Sequence, residues 1–209
     1  MKWTRSEKAD RNFRDARTGG KARGGRGGGR GGAAAGVGGM SLIGIILALL
    51  FGGDWFSFLT TDVQEFWVDE FRANNIRYEE ASLTIFDTPI RTGCGAAEAA
   101  IGPHYCPVDK GIYLEPGFFD EILARRFGAS GDFAQAYVVA HEFGHHVQGE
   151  LGISAWVRQQ QSSTRSQQDR NEFSVRLELQ ADCLAGVWAR TAEDRGLLTR
   201  LGRTTPAMV

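Results

Sequence analysis

From Leu42 to Phe51 the chain is almost purely apolar (Leu42, Ile43, Ile45, Ile46, Leu47, Ala48, Leu49, Leu50, Phe51), and no charge interrupts the stretch from Gly31 to Gly53. Counted from Ala33, the run reaches the roughly 20 mostly apolar residues that a bilayer core requires. It predicts one transmembrane helix over residues 33–53. A signal-peptide hydrophobic region is the competing reading, but no small-x-small cleavage site follows. Gly52, Gly53, Asp54, Trp55 and Phe56 come instead, and the aromatic pair suits a membrane interface.

Beyond this run the apolar positions recur with helical or strand periods. Thr61-Asp62-Val63-Gln64 has the form of a capping box, and Val63, Phe66, Trp67 and Phe71 follow at helical spacing, which predicts a helix ending near Asn74 and Asn75. Ser82 to Phe86 alternates around Leu83 and Ile85, and Gly111 to Glu115 holds Ile112, Tyr113 and Leu114; both read as short strands. Phe119, Ile122, Leu123 and Phe127 mark one face of a helix over 118–127 that Gly128 stops. Phe133, Ala136, Tyr137, Ala140, Gly144 and Val147 define a largely buried helix from Phe133 to Gln148, with N-cap candidates at Ser130, Gly131 and Asp132. A last helix, from about Glu172 to Asp194, carries Phe173, Leu177, Leu184, Val187 and Trp188 on its packing side. The sum is an α+β domain, mainly helical, with a small β element, preceded by the membrane helix.

Charge divides the chain into parts of opposite sign. Residues 1–30 hold ten Lys and Arg against Glu7, Asp10 and Asp15; removing these from totals of 24 basic and 25 acidic residues leaves 14 and 22, or −8, for the rest. An acidic domain is a poor nucleic-acid binder, so no specific nucleic-acid partner is expected. The Arg-Gly-Gly repeats between Arg23 and Gly32 also admit an RNA-binding or lipid-headgroup reading, though a flexible arm over 1–32 is sufficient. Cations before the span and an acidic domain after it put the N-terminus in the cytoplasm and the domain, 54–209, outside it. In that compartment Cys94 and Cys106 are expected to close a disulfide, leaving Cys183 as a small buried helix residue.

The chemistry lies on the last two helices. His141-Glu142-Phe143-Gly144-His145 puts two imidazoles one helical turn apart, where they can hold a single Zn²⁺, with a glutamate between them to take a proton from water. The chain has only four histidines, so two at this spacing around a glutamate argue against ordinary core histidines. His146, about 100° further round, is expected to pack rather than ligate. No histidine follows His146, so the third ligand must be a carboxylate. Glu178 and Asp182 share one face of the last helix; Glu178 is expected on the metal and Asp182 on the ring N–H of a ligating histidine. Glu172 is a rival for which a helix-start role suffices.

The run Gly131 to Gln148, with Glu178-Leu179-Gln180-Ala181-Asp182-Cys183, resembles the bacterial putative neutral zinc metallopeptidase family. The likeness extends to Arg91-Thr92-Gly93-Cys94-Gly95, to Gly102-Pro103-His104-Tyr105-Cys106-Pro107 and to the basic tail with its hydrophobic segment, as far as about Arg195. It implies a zincin-like fold, two histidines and a downstream glutamate on zinc, and hydrolysis of a peptide or protein substrate with Glu142 as base. Leu201-Gly202-Arg203-Thr204-Thr205-Pro206 looks unlike the family's continuation, so a shortened or altered C-terminus is expected, and with it the alternative of a non-catalytic, membrane-tethered zinc module. Tyr113, Tyr137 and His104 are candidates to stabilise an oxyanion, and Gly111 to Glu115 is the strand nominated to receive substrate.

Overall fold

The computed structural model describes residues 12–17, 42–98, 101–126, 128 and 131–195, and the side chains among them other than those of 42–54, 120 and 123. Six strands are named in chain order: β1 (Phe13–Asp15), β2 (Ser82–Ile85), β3 (Ile90–Thr92), β4 (Gly95–Ala97), β5 (His104–Cys106) and β6 (Gly111–Leu114). The α-helices are α1 (Leu42–Ala73), α2 (Asp132–Glu150), α3 (Ile153–Ser163) and α4 (Gln167–Asp194), and a short π-helical segment, Phe119–Ala124, precedes α2.

Four strands form one sheet in the order β1-β2-β6-β5, in which β1, β2 and β6 are parallel and β5 is antiparallel. Pairing of Leu83 with Ile112 and of Ile85 with Leu114 puts all four on one face, where they join α1, α2 and α4 in a single apolar core. Thr84 and Tyr113 fall on the other face by the two-residue period of a strand. There Phe86, Ala97, Cys106 and Tyr113 make a smaller cluster under the β3–β4 hairpin. β1 lies within the basic segment read as a flexible arm, and Asn12 beside it bonds Glu80.

The mainly helical α+β fold is present, but the transmembrane helix is not supported. Among the described residues no helix is long and apolar enough to cross a membrane. The expected single-pass protein, with a cytoplasmic N-terminus and an extracytoplasmic catalytic domain, is corrected accordingly. Residues 33–41 of the expected span lie outside the described residues. From Leu42 to Phe51 the helix advances only about 15 Å, half of the roughly 30 Å hydrocarbon core. It then passes through Gly52, Gly53 and Asp54 into a segment whose Phe56, Leu59, Val63, Trp67 and Phe71 are buried in the domain core. Those residues belong to the protein interior, not to a lipid phase.

This continuity also removes the expected helix start at Thr61. With the preceding turn already helical, Thr61 Oγ1 donates to the Ser57 carbonyl at 3.0 Å instead of capping. Asp62 is free to accept from Trp188 Nε1 at 2.9 Å and from Arg195, tying α1 to α4. One other boundary moves and one helix is added. α4 begins at Gln167, because Ser166 accepts from the Asp169 N–H and caps it. α3 was not apparent from periodicity; Gly152, at φ 74°, makes the left-handed turn that separates it from α2.

Candidate metal centre

Helices α2 and α4 pack with their contacts in reverse chain order, Tyr137 meeting Asp182, Gly144 meeting Ala181 and Gln148 meeting Leu177. Gly144 permits this approach: a Cβ there would lie 2.9 Å from the Ala181 carbonyl oxygen and 3.0 Å from its Cα. Ala181 and Ala185, both fully buried, supply the matching small surface on α4.

Across that contact the structure brings together His141, His145 and Glu178, whose ligand atoms lie within 4.8 Å of one another. Glu178 Oε2 is 3.3 Å from His141 Nε2 and 3.4 Å from His145 Nε2. A tetrahedral ion held at roughly 2.0–2.1 Å by each ligand separates the ligand atoms by roughly 3.3–3.4 Å. The two pairs that Glu178 makes with the histidines therefore match zinc-ligand spacing. The two rings meet edge to face, with centroids 4.8 Å apart.

The far ring nitrogens are also engaged. His141 Nδ1 lies 2.9 Å from Asp182 Oδ1, and the same oxygen accepts from the Tyr137 hydroxyl at 3.1 Å. A carboxylate accepts only, so His141 donates from Nδ1 and turns Nε2 toward Glu178. His145 Nδ1 lies 2.9 Å from Gln148 Oε1.

Glu142, the motif glutamate, is buried. Burial pushes its carboxyl up to about 8, the charge of Glu178 adds to the rise, and a hydrogen bond from the Tyr105 backbone N–H opposes it. A cation beside Glu178 would offset the repulsion between the two acids. Tyr105 belongs to β5, so the edge strand of the sheet runs beside the motif glutamate. Its phenol is held as well, donating to His146 Nδ1 at 3.0 Å, while His146 Nε2 donates to the Glu79 carbonyl at 2.8 Å. His146 is fully buried in this chain of bonds, away from Glu178.

Several sequence expectations find other places. β6 is not a sheet edge: β2 and β5 flank it and all its residues are buried. The antiparallel edge nearest the metal centre is β5. Among the oxyanion candidates, Tyr137 holds Asp182, Tyr113 donates to Asp109 at 2.7 Å, and the His104 ring donates to the Gly102 carbonyl at 3.0 Å. Glu172 pairs with Arg176 on the exposed side of α4. Cys183 is exposed, not buried, and Val187 is 46% exposed. Both lie away from the Ala181–Ala185 face that meets α2. Cys94 and Cys106 are joined in a disulfide, which ties the β3–β4 turn to the end of β5. Gln148 and the Tyr105 N–H are the site groups that sequence reasoning missed. Gln148 had a signal, since it stands three residues after His145 on the same helix face; Tyr105, distant in sequence, had none.

Two packed helices, one bearing His-Glu-x-x-His and the other an opposing carboxylate, beside an antiparallel strand edge, make the arrangement that the sequence resemblance implies for a zinc metallopeptidase family. A family model described as "Putative neutral zinc metallopeptidase" matches residues 56–208, and the chain belongs to that family. The match passes the Arg195 at which the sequence likeness was placed. The chain is 43% identical over 142 residues to "Uncharacterized protein YpfJ" of Escherichia coli K12, covering 68% of this chain and 49% of that protein. It is 49% identical over 113 residues to "Uncharacterized protein Rv2575" of Mycobacterium tuberculosis H37Rv, covering 54% of this chain and 36% of the relative. The chain thus spans about half the length, or less, of these curated relatives. No solved structure matches it.

Proposed function

We propose that the chain is a zinc-dependent peptidase that hydrolyses peptide bonds, with His141, His145 and Glu178 as the metal ligands and Glu142 as the general base. The observation that carries this reading is the convergence of two imidazole Nε2 atoms on one Glu178 oxygen at zinc-ligand spacing, with a buried glutamate between the histidines in sequence. Zinc, when bound, supplies the Lewis acidity that makes a water nucleophilic near neutral pH.

The remaining work falls to the chain's own residues. Glu142 takes a proton from the attacking water and delivers it to the leaving amine. Burial favours the protonated form of Glu142, which suits the second of these steps, while the Tyr105 N–H favours the ionised form needed for the first. Asp182, braced by the Tyr137 hydroxyl, orients His141. Because the Tyr105 N–H is directed at Glu142, the free side of β5 runs past the reacting centre, and an extended peptide added to that edge would present its carbonyls there.

The test uses the full chain. Bound zinc is measured for the wild type, Glu142→Gln and Glu178→Ala, and each is assayed for hydrolysis of casein. The reading requires stoichiometric zinc and hydrolysis in the wild type, zinc without hydrolysis in Glu142→Gln, and loss of both in Glu178→Ala. A wild type that holds zinc and does not cleave would remove the catalytic assignment; a wild type that holds none would remove the metal site.

A further inference from the structure

The geometry points to Gln148 as a positioning residue that fixes the tautomer of His145 and locks the helix carrying Glu178 to the helix carrying both histidines. The inference rests on the zinc-site reading above and extends it to a group outside the ligand set.

Gln148 is fully buried near the end of α2. Its amide makes three hydrogen bonds: Oε1 lies 2.9 Å from His145 Nδ1, and Nε2 donates to the Leu177 carbonyl at 2.7 Å and to Gln180 Oε1 at 3.1 Å. The Leu177 carbonyl can only accept, so the amide nitrogen must face it. That leaves Oε1, which can only accept, facing His145. His145 must then carry a proton on Nδ1, which leaves Nε2, 3.4 Å from Glu178 Oε2, as the ring nitrogen available to a metal. The orientation of the amide is thus set by the backbone of one helix and read out as the tautomer of a ligand on the other. Leu177 directly precedes Glu178, so the bond that orients Gln148 also holds the backbone from which the third ligand extends. His141 is served by a carboxylate, Asp182, from α4; His145 is served by a neutral amide from its own helix, and Gln148 supplies the second connection between the helices.

The test compares the full chain with Gln148→Met, which keeps the volume and loses all three bonds, and with Gln148→Glu, which restores an acceptor for His145 and cannot donate to Leu177. The first readout is independent of metal: ¹⁵N chemical shifts of the imidazoles in zinc-free protein, with His145 assigned by comparison with His145→Asn. The proposal predicts the Nδ1–H form of His145 in the wild type and in Gln148→Glu, and a mixture of tautomers in Gln148→Met. The second readout is zinc affinity from chelator competition. It is expected to fall about 10–100-fold in Gln148→Met, the usual cost of losing an outer partner of a metal-bound histidine, and to recover by at least about half of that loss, on a logarithmic scale, in Gln148→Glu. Thermal stability without zinc is expected to fall in both variants, since both lose the bond to Leu177. A merely structural role would give parallel losses in the two variants with no difference in tautomer or affinity, and that result overturns the proposal. So does a wild-type His145 protonated on Nε2. Failure of the wild type to bind zinc strikes the metal reading, and the tautomer measurement still decides the role of Gln148.

Discussion

Gly144→Ala probes the contact on which the proposed metal centre depends. The added Cβ would stand 2.9 Å from the Ala181 oxygen, 3.0 Å from its Cα and 3.3 Å from its carbonyl carbon. Unstrained contacts of this kind lie at about 3.5–4.0 Å. The obstructing atoms are backbone atoms of a helix and cannot rotate aside, so α2 and α4 must separate locally by about half an ångström. Metal-ligand distances tolerate only about 0.2 Å, and the pairs that must be spanned are those of Glu178 with His141 and His145, on opposite sides of this contact. Overpacking costs about 1–3 kcal/mol, and the better helix propensity of Ala offsets up to about 1 kcal/mol of it. The net loss of up to about 2 kcal/mol lowers Tm by up to about 8 °C for a chain of this size. Zinc affinity should fall by at least about tenfold. Gly186→Ala is the control: nothing lies within 4 Å of a Cβ there, so the same substitution later in the helix pair should raise stability by about 0.5–1 kcal/mol and leave zinc binding unchanged. Chelator competition and thermal melts on the two variants give the answer. A Gly144→Ala protein with wild-type zinc affinity and Tm would refute the close-packing argument.

Two further predictions concern the smaller cluster behind the sheet. Burial raises the Asp109 carboxyl, but hydrogen bonds from the Tyr113 hydroxyl and the Gly93 and Gly111 N–H groups outweigh it and hold it below its ordinary value of 3.8. A depressed carboxyl contributes stability above its unfolded pKa that is lost as pH falls through the folded value; melts should therefore show Tm dropping below about pH 4, and Asp109→Asn should melt lower at pH 7 and show a flatter acid limb. Reduction of Cys94–Cys106, which closes a short loop over a sequence separation of 12, should cost about 2–3 kcal/mol. It should also increase hydrogen exchange at the Tyr105 amide, because the disulfide anchors the next residue of β5; unchanged exchange there would show that the sheet alone holds the strand.

The parts of this protein that the sequence determined by itself are those written in local periodicity. Four-residue spacing puts His141 beside His145, and Glu178 beside Asp182, on any helix, so the faces of the proposed site were legible before either helix had a neighbour. Alternation around Leu83 and Ile85 likewise marked β2, and the apolar run Ile112-Tyr113-Leu114 marked β6. Strands of three residues, such as β1 and β5, carry too little pattern to be seen, and their identity comes only from the partners they pair with. Which strand is the open edge, which face of α4 is covered, and where the Leu42–Phe51 run leads are long-range questions. An apolar stretch has the same composition whether it meets lipid or a protein core, and α1 shows that its continuation, buried from Phe56 to Phe71, belongs to the latter. Tertiary packing also set the protonation chemistry. The Tyr105 N–H on Glu142 and the Leu177 carbonyl on Gln148 reach across from elements distant in sequence, and a hydrogen bond of that kind leaves no spacing to read.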